Sequence, residues 1–350
     1  MESFHSNLLG WYDANARKLP WRVEPEENKS GILPNPYHVW LSEVMLQQTT
    51  VAAVKDYFVK FITLWPTVND LAGASQDDVM KAWAGLGYYS RARNLKKCAD
   101  HVANELDGYF PTAQEDLIKL PGIGPYTSGA ISTIAFQNKA TVVDGNIERV
   151  VTRHTANATP MPEAKADCAT FVDAEMPESR PGDFAQAMMD LGAVICTPRN
   201  PVCALCPVRY GCKSFAQGTM MDFPVKAPKK SKPNRKGAAF VLQREDGAIW
   251  LRKRPNKGLL AGMSEVVTTD WTARTDGALG SDAIPVKADW VAKGTIKHTF
   301  THFHLELEVW HALSQAPNNH GWWVDEKDLS KEALPTVMKK VIMTVLPDAF

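Results

Sequence analysis

Up to about residue 215, apolar positions recur at the three- and four-residue spacing of helices that bury one face. The clearest segments are VWLSEVMLQQTTVAAVKDYFVKFITLW, DDVMKAWAGL, RARNLKKCADHVANEL and DFAQAMMDLGAVIC, and turns rich in Gly and Pro separate them. The pattern predicts an all-helical domain over residues 1–225.

Beyond residue 237 the spacing changes from the helical period to the two-residue period of strands. In HFHLELEVW, apolar Phe303, Leu305, Leu307 and Val309 alternate with other residues, which is typical of a half-buried strand. GAAFVLQ and AIWLRKR flank the turn sequence 245–247, EDG, which predicts a hairpin. With LPTVMKKVIMTVL as one amphipathic helix, residues 237–350 are predicted to form a smaller α+β domain.

Between the two patterns, residues 226–236 read as an extended, solvated linker. VKAPKKSKPNRKG holds six basic residues, two prolines and no acid. The whole chain has 39 basic and 39 acidic residues, but residues 1–225 hold 20 and 25 (net −5), which leaves 19 and 14 (net +5) for residues 226–350. Because charge is uneven, net neutrality argues neither for nor against nucleic acid.

Composition and the amino-terminal segment limit the classes of protein to which the chain can belong. Hydrophobic residues make up 45% of the chain, and 11 tryptophans fit an ordered globular protein. MESFHSNLLGWYDANARKLPW lacks the apolar core of a secretion signal, and no apolar run approaches the length of a membrane span. We expect a soluble intracellular protein that makes no membrane contact. Nothing in the helices resembles a dimer seam, so we expect a monomer.

Four of the six cysteines are closely spaced in CTPRNPVCALCPVRYGC, residues 196–212. Their x6, x2, x5 spacing differs from the paired Cys-x2-Cys zinc arrangement, although four thiolates can also bind zinc. The spacing resembles the cluster loop of the endonuclease III-like DNA glycosylases, which implies a [4Fe–4S] cluster. Cys98 and Cys168 are isolated and are interpreted as buried thiols. The implied cluster ligands are Cys196, Cys203, Cys206 and Cys212.

Glu43 is the only formally charged residue between Lys29 and Lys55. The surrounding helix, PYHVWLSEVMLQQTTVAAV, is apolar nearly all round and should therefore be buried. Burial raises the pKa of a carboxyl group, which suits a general acid near neutral pH.

A second candidate carboxylate, Asp144, lies in ATVVDGNIERVV, where a helix is expected to begin. Its simplest interpretation is a helix cap, and a carboxylate at a helix start is also stabilised in its charged form. One protonated acid and one anion are the pair that cleaves glycosidic bonds through an oxocarbenium-like transition state.

Taken together, SEVMLQQT, GLGYYSRARN, LPGIGPYTSGA, VDGN, FAQAMMDLGAVIC and the cysteine loop closely resemble the adenine DNA glycosylases, the MutY family. The motifs keep the family order over nearly the whole chain. The resemblance implies a helix–hairpin–helix glycosylase domain with an iron–sulfur loop, followed by a Nudix-like domain. It also implies base-excision repair in the bacterial cytoplasm, at the nucleoid, on double-stranded DNA with adenine opposite 8-oxoguanine or guanine.

The resemblance assigns roles to individual residues. Glu43 protonates the flipped adenine, and Asp144 stabilises the sugar cation through a transient covalent adduct, while Asn146 orients the site. The implied adenine pocket comprises Trp21, Arg22, Leu46, Val51 and Gln186. One edge of this pocket is less defined, because a longer stretch (residues 23–36) follows PWR in this chain. The residues implied to contact DNA and to fill the gap that the flipped base leaves are Gln48, Thr49, Leu86, Tyr88, Gly122 and Gly124.

Tyr126 discriminates among the related enzymes. In bifunctional endonuclease III relatives this hairpin position carries a lysine that forms a Schiff base and nicks the strand, and a tyrosine cannot form an imine. The sequence therefore predicts a monofunctional enzyme, with Tyr126 supporting Asp144 or the sugar. An aromatic side chain that merely packs beneath the hairpin is the alternative.

The carboxy-terminal domain has no Glu-rich metal-binding helix near residues 258–270, which argues against pyrophosphatase activity. The resemblance instead implies that Phe300, Thr301 and His302 read 8-oxoguanine, with Thr301 where the family has serine. Two alternatives stay open: a bifunctional glycosylase/lyase, and a non-catalytic DNA-binding iron–sulfur protein in which the carboxylates are structural.

Overall fold

The computed structural model describes residues 3–228, 231–280, 283–284, 287–314 and 320–350. The chain divides into two compact units, one comprising Met1–Gly73 and Asn94–Lys229 and the other Ala74–Arg93 and Lys230–Phe350. Ala74–Arg93 thus groups with the carboxy-terminal part of the chain, although its own pattern is helical. The residue boundaries that the sequence suggests for the domains stay a prediction.

The described residues before residue 218 are mainly helical, as the apolar spacing predicts. A π-helical turn, Leu191–Ile195, directly follows one of these helices. In chain order the helices are α1 (Phe4–Asn15), α2 (Pro25–Lys29), α3 (Pro36–Leu46), α4 (Val51–Leu64), α5 (Val68–Gly73), α6 (Gln76–Trp83), α7 (Ser90–Glu105), α8 (Gln114–Leu117), α9 (Pro125–Phe136), α10 (Gly145–Thr155), α11 (Lys165–Glu175), α12 (Pro181–Asp190) and α13 (Lys213–Gln217).

The long apolar run around Glu43 is two helices rather than one. Helix α3 ends at Leu46, and α4 begins at Val51 after the N-cap Thr50, whose side chain accepts a hydrogen bond from the Ala53 amide. Gln48 adopts a left-handed backbone conformation, with φ of 58°, which a continuous helix does not allow. The break exposes a polar loop, residues 47–50, at the end of the helix that carries Glu43.

Helix α9 occupies the centre of the first unit, where it packs against α3 and α12. Its residues from Thr127 to Ala135 are all buried, so it has no solvated face. Gly124 caps its start and Pro125 takes the first helical position, which suits proline because the missing N–H would have no partner there. The hairpin before α9 is thereby held beside the helix that carries Glu43.

The second unit contains a mixed sheet of β1 (Asn234–Gln243), β2 (Ile249–Lys253), β3 (Ser264–Glu265), β4 (Val267–Thr268), β5 (Val291–Thr299), β6 (His304–Leu313) and β7 (Trp322–Val324), with helix α14 (Thr336–Met343). The strand order is β3-β2-β1-β6-β5, while β4 pairs with β1 and β7 with β2. Strands β1 and β6 run parallel along their whole lengths, from Asn234 opposite His304 to Gln243 opposite Leu313.

The predicted hairpin and the predicted alternation are both present. Strands β1 and β2 pair antiparallel across the turn at residues 245–247. On β6, Leu305, Leu307 and Val309 are buried while the residues between them are not. They form one core with Val337 and Val341 of α14. The α+β character of the second unit is confirmed.

Within the described ranges, no helix has the length and apolar character needed to cross a membrane.

Candidate active site

A cavity of about 1070 Å³ in the first unit brings together most of the predicted site residues. The helices α3, α4, α9, α10 and α12 and the loops before them contribute to its wall. The predicted residues that line it are Trp21, Arg22, Glu43, Leu46, Gln48, Thr49, Val51, Gly122, Gly124, Tyr126, Asp144, Asn146 and Gln186.

Glu43 is buried in the wall of this cavity, with 6% of its surface exposed. Trp40, Leu41 and Met45 on the same helix are fully buried, so the carboxyl group lies in apolar surroundings. This burial raises the pKa of Glu43 to about 7, and the nearby charge of Asp144 acts in the same direction. The nearby Tyr126 hydroxyl, as a potential donor, and the charge of Arg22 lower the pKa of Glu43.

Tyr126 connects the two carboxyl groups electrostatically. Burial, together with the negative charges of Glu43 and Asp144, raises the pKa of the Tyr126 hydroxyl well above its ordinary value. The hydroxyl therefore stays protonated and donates to Glu43. The Tyr126 hydroxyl thus interacts with both carboxyl groups, while the role of Tyr126 in a reaction stays a prediction.

Asp144 caps helix α10, as its position in the sequence predicts. Its Oδ1 accepts a hydrogen bond of 2.8 Å from the Ile147 amide, and its Oδ2 accepts one of 2.8 Å from Asn146 Nδ2. The Asn146 amide oxygen accepts from Arg149 Nη2 at 2.9 Å. Gly192 lies so close to Asn146 that an added Cβ would be 2.6 Å from the asparagine Cβ. Asn146 is thus fixed from two sides and orients Asp144.

One wall of the cavity can receive a flat, partly polar ligand. Trp21 is buried against Phe58, with an edge-to-face ring contact at 5.3 Å, and Leu46 and Val51 add apolar surface. Gln186 is 2% exposed, and among the described residues its Nε2 has no hydrogen-bond partner. A buried donor without a partner is unfavourable unless a ligand or water supplies the acceptor.

Two further residues at this wall are absent from the sequence-based prediction: Arg17, which lines the cavity, and Asp190, which pairs with it from behind. Asp190 is fully buried at the end of α12 and accepts from Arg17 Nε at 2.6 Å and from Arg22 Nη1 at 2.8 Å. Arg17 and Arg22 both line the cavity. The sequence offered no signal for this network, because its members lie at opposite ends of the first unit's sequence.

The hairpin at residues 120–125 presents backbone groups to the cavity. Gly122 has φ of +77°, and an added Cβ there would lie 2.6 Å from Asn94 Cβ, so both conformation and space require glycine. In the part of the chain that the structure describes, the amides of Gly122 and Gly124 have no hydrogen-bond partner. Two free N–H groups at the start of α9 form a potential anion site.

The four closely spaced cysteines line a small separate cavity of about 30 Å³, shared with Arg153 and Arg209. All four are free thiols, and Arg153 Nη1 donates to Cys196 Sγ at 3.4 Å. No set of three or more potential ligands among the described residues already has the geometry of a single-ion site. Four converging sulfur donors nevertheless fit the thiolate chemistry of a cluster better than that of a hard cation.

In the second unit, the loop Gly85–Tyr88 is held in an unusual conformation. Gly85, Gly87 and Tyr88 all have positive φ, and for tyrosine this is rare. Trp83 Nε1 donates to the Gly87 carbonyl at 3.1 Å, and Arg91 Nη2 donates to the Leu86 and Gly87 carbonyls at 3.2 Å. These contacts fix the loop, while 45% of the Tyr88 surface stays exposed.

The structure also brings Tyr88 next to the predicted 8-oxoguanine-reading residues. Tyr88 Oη and Thr301 Oγ1 are 3.2 Å apart. Phe300 stacks on Phe303 with a centroid distance of 4.7 Å, which anchors the turn, while Thr301 and His302 are exposed. The sequence gives no reason to expect this contact, because the two hydroxyl groups are 213 residues apart.

Comparisons with known proteins agree with this geometry. Residues 41–169 match the HhH-GPD superfamily of base excision DNA repair proteins, and residues 238–344 match the NUDIX domain. A solved thermostable thymine-DNA glycosylase covers 61% of this chain and 95% of its own, with 29% identity and a TM-score of 0.53. A solved endonuclease III–DNA complex, at 20% identity and a TM-score of 0.50, supports the fold alone.

Fold and cavity thus define a helix–hairpin–helix DNA glycosylase with an appended Nudix domain, as predicted. The human adenine DNA glycosylase is 36% identical over 97% of this chain and 73% of its own length. The enzyme of the same name from Buchnera aphidicola subsp. Schizaphis graminum is 32% identical over 97% of both chains. The chain belongs to the adenine DNA glycosylase family, hydrolases of N-glycosyl bonds that act in base excision repair.

The burial of Glu43 predicts a pH-dependent effect of Glu43→Gln on stability. The pKa of Glu43 is about 7 in the folded protein against an ordinary value of 4.5. The folded state therefore holds a proton that the unfolded state releases, so wild-type stability falls as pH rises from 4.5 to about 7. Glutamine cannot ionise, and the variant should gain about 3 kcal/mol relative to wild type across this range.

Urea unfolding of both proteins at acidic and mildly alkaline pH measures this difference. A stability difference that is the same at both pH values would show that Glu43 ionises normally in the folded protein.

Proposed function

We propose that this protein removes adenine paired with 8-oxoguanine or guanine in double-stranded DNA by hydrolysis, and leaves the abasic strand uncut. The observation that carries the proposal is the pairing of Glu43 and Asp144 in one cavity, which Tyr126 also lines. The two carboxyl groups have contrasting surroundings, one apolar and one rich in donors.

Glu43 acts as the general acid. Adenine leaves the sugar readily only after a ring nitrogen has been protonated, and a carboxyl group whose pKa is about 7 still holds its proton near neutral pH. Glu43 transfers this proton to the extruded base and becomes a carboxylate. Tyr126, which donates to Glu43, stabilises the charge that remains.

Asp144 stabilises the positive charge that develops on the sugar. The Ile147 amide and Asn146 Nδ2 donate to its two oxygens and hold the carboxylate in place at the start of α10. A carboxylate in this position shields the oxocarbenium ion, or bonds to it transiently, until water attacks the anomeric carbon.

The adenine pocket is built from the apolar wall and its unpaired donor. Trp21, Leu46 and Val51 supply surface for the base, while Gln186 Nε2 and the Arg22 guanidinium supply hydrogen bonds to its nitrogen atoms. A site whose buried donor is satisfied only by the correct base discriminates strongly, because another base leaves that donor unpaired.

The absence of an amine at position 126 argues against strand cleavage. Formation of a Schiff base requires a lysine or another amine at the sugar, and a phenol cannot provide it. Water is therefore the nucleophile that completes the reaction, and the enzyme is monofunctional.

Each unit carries residues proposed to contact DNA. The free amides of Gly122 and Gly124 bind a backbone phosphate. Gln48 and Thr49, on the loop that ends α3, and Leu86 and Tyr88, on the fixed loop of the second unit, fill the space that the extruded base leaves.

The Nudix domain recognises the base opposite the adenine. Phe300 anchors the turn, and the exposed Thr301 and His302 contact 8-oxoguanine. Thr301 retains a hydroxyl group for this contact, although its methyl group distinguishes it from serine. The enzyme acts as a monomer on DNA in the cytoplasm, at the nucleoid.

The cysteine loop holds a [4Fe–4S] cluster through Cys196, Cys203, Cys206 and Cys212. The support is the convergence of four free thiols on one small cavity and their x6, x2, x5 spacing. The cluster supplies a structural element that shapes the loop. Arg149 donates to the Cys196 carbonyl at 2.7 Å and so connects the loop to Asn146.

Product analysis tests the reaction directly. Duplexes with adenine opposite 8-oxoguanine, guanine or cytosine are incubated with enzyme and resolved with and without alkali. We expect adenine release opposite the first two and strand breaks only after alkali. Glu43→Gln should bind the 8-oxoguanine duplex but release adenine about 10³-fold more slowly, because the transferable proton is gone.

Near-normal turnover by Glu43→Gln would contradict the assignment of Glu43 as the acid. Breaks without alkali, together with efficient borohydride trapping, would support the bifunctional alternative. Binding by the wild type without adenine release would support the non-catalytic one.

Metal analysis tests the cluster. The purified protein should contain about four irons per chain with matching sulfide and a broad visible absorbance. Cys203→Ser should lose most of this iron, whereas Cys168→Ala, at a buried thiol outside the loop, should retain it. One zinc per chain in place of iron would contradict the proposal.

Thr301→Val tests the reading of the opposite base, because valine keeps the side-chain shape and removes the hydroxyl. The preference for 8-oxoguanine over guanine should fall about fivefold to tenfold, the effect of one lost hydrogen bond. Thr299→Val, two residues earlier, is the matched control and should keep the preference. Equal preferences in wild type and Thr301→Val would exclude a role for this hydroxyl.

A further inference from the structure

Asp190 is a buried carboxylate that the mechanism above does not use. It ends helix α12, and both of its oxygens accept hydrogen bonds: Oδ1 from Arg17 Nε at 2.6 Å, and Oδ2 from the Arg17 amide at 3.0 Å and from Arg22 Nη1 at 2.8 Å. The Asp190 side chain has no exposed surface. A buried charge is tolerated only when it is paired and hydrogen-bonded, and Asp190 is both.

The two arginine partners face the cavity in which the base is cleaved. Arg17 and Arg22 both line it, and only 7% of the Arg22 side chain is exposed. A flexible guanidinium could adopt several orientations in such a wall, but a carboxylate that binds both groups selects one. Asp190 therefore determines where these N–H groups point.

The same network acts on Glu43 through charge. The positive charge of Arg22 lowers the pKa of Glu43 and so opposes the effect of burial. Asp190, 2.8 Å from Arg22, carries a negative charge that offsets the field of the guanidinium. Together with Asp190, the two arginines carry a net charge of +1, whereas the arginines alone would carry +2.

We propose that Asp190 is a positioning residue of the adenine pocket, which fixes Arg17 and Arg22 against the extruded base and offsets their charge so that Glu43 keeps its proton. This inference rests on the proposed role of Glu43 as the acid. Asp190 itself contacts neither the base nor the sugar in this role.

The other charged and titratable groups around the network come from several elements of the first unit. Glu43 is faced by Tyr126 from α9 and by Asp144 at the start of α10. Glu148 and Arg149 of α10 line the same cavity. The buried Tyr12 of α1 is close enough to feel the charges of Arg22 and Asp190, and those of Asp183 and Arg180 also reach it.

Two substitutions with opposite charge effects test the proposal in the full-length protein. Asp190→Asn removes the negative charge, leaves Arg22 unopposed and should stabilise ionised Glu43. Arg17→Gln removes a positive charge and should stabilise protonated Glu43. The readout is the single-turnover rate of adenine release from the 8-oxoguanine duplex against pH, whose alkaline limb reports loss of the Glu43 proton.

The alkaline limb should move to lower pH in Asp190→Asn and to higher pH in Arg17→Gln, each by at most about 1 pH unit, because one charge in direct proximity shifts a pKa by about that much. Asp183→Asn is the matched control. Asp183 is also fully buried on α12 and paired with an arginine, but that arginine, Arg180, does not line the cavity. In Asp183→Asn the alkaline limb should lie at the wild-type pH, even if the variant is less stable.

If the alkaline limbs of Asp190→Asn and Arg17→Gln both lie at the same pH as that of the wild type, the proposal is overturned, even where the rates are lower. Asp190 would then be a purely structural residue. If Asp190→Asn does not fold, the direction of the Arg17→Gln shift decides. A wild-type enzyme without an alkaline limb, or an active Glu43→Gln variant, would instead contradict the proposed function.

Discussion

The removal of the Glu43 carboxyl group from water is the constraint on which the rest of the catalytic unit depends. Helix α3 is buried on nearly all sides, and the fully buried Trp40, Leu41 and Met45 surround the carboxyl group with apolar atoms. An ionised carboxylate is poorly solvated there, and the pKa rises to about 7. Among the polar groups of the cavity, Tyr126 and Arg22 lower the pKa of Glu43, while the charge of Asp144 raises it further.

The two carboxyl groups differ because their backbones differ. Glu43 lies in the middle of a helix, where the backbone N–H groups are already used, so only side chains can contact it. Asp144 lies at the start of a helix, where a free amide points at its oxygen. The same functional group therefore lies among apolar side chains in one place and accepts hydrogen bonds in the other, and contrasting surroundings of this kind let paired carboxyl groups take opposite roles.

The sequence predicted the features that depend on neighbouring residues. The isolated charge of Glu43, the cap at Asp144 and the alternation along β6 could each be inferred from a few consecutive positions. It could not predict contacts between distant segments, such as Arg17 with Asp190 or Tyr88 with Thr301. It also missed the break at residues 47–50, because the apolar spacing continues across a loop in which Gln48 leaves the helical conformation.

The grouping of Ala74–Arg93 with the carboxy-terminal residues could not be predicted either, because it also depends on contacts between distant segments. A helical pattern identifies the type of element but not the layer against which it packs. The resemblance to a known family added residue roles that neither spacing nor composition could provide, and the cavity that gathers these residues makes their proposed roles physically coherent.

The loop that carries Tyr88 has a consequence for how the protein would inspect DNA. Its left-handed residues and the hydrogen bonds from Trp83 and Arg91 fix its shape before any DNA is present. The conformational entropy of this segment is therefore lost during folding and not again at each encounter. In the gap-filling role proposed for it, such a stiff loop would adapt little to the duplex. The ease with which a base-pair step opens would then decide where it enters, and weakly stacked sites would be sampled first.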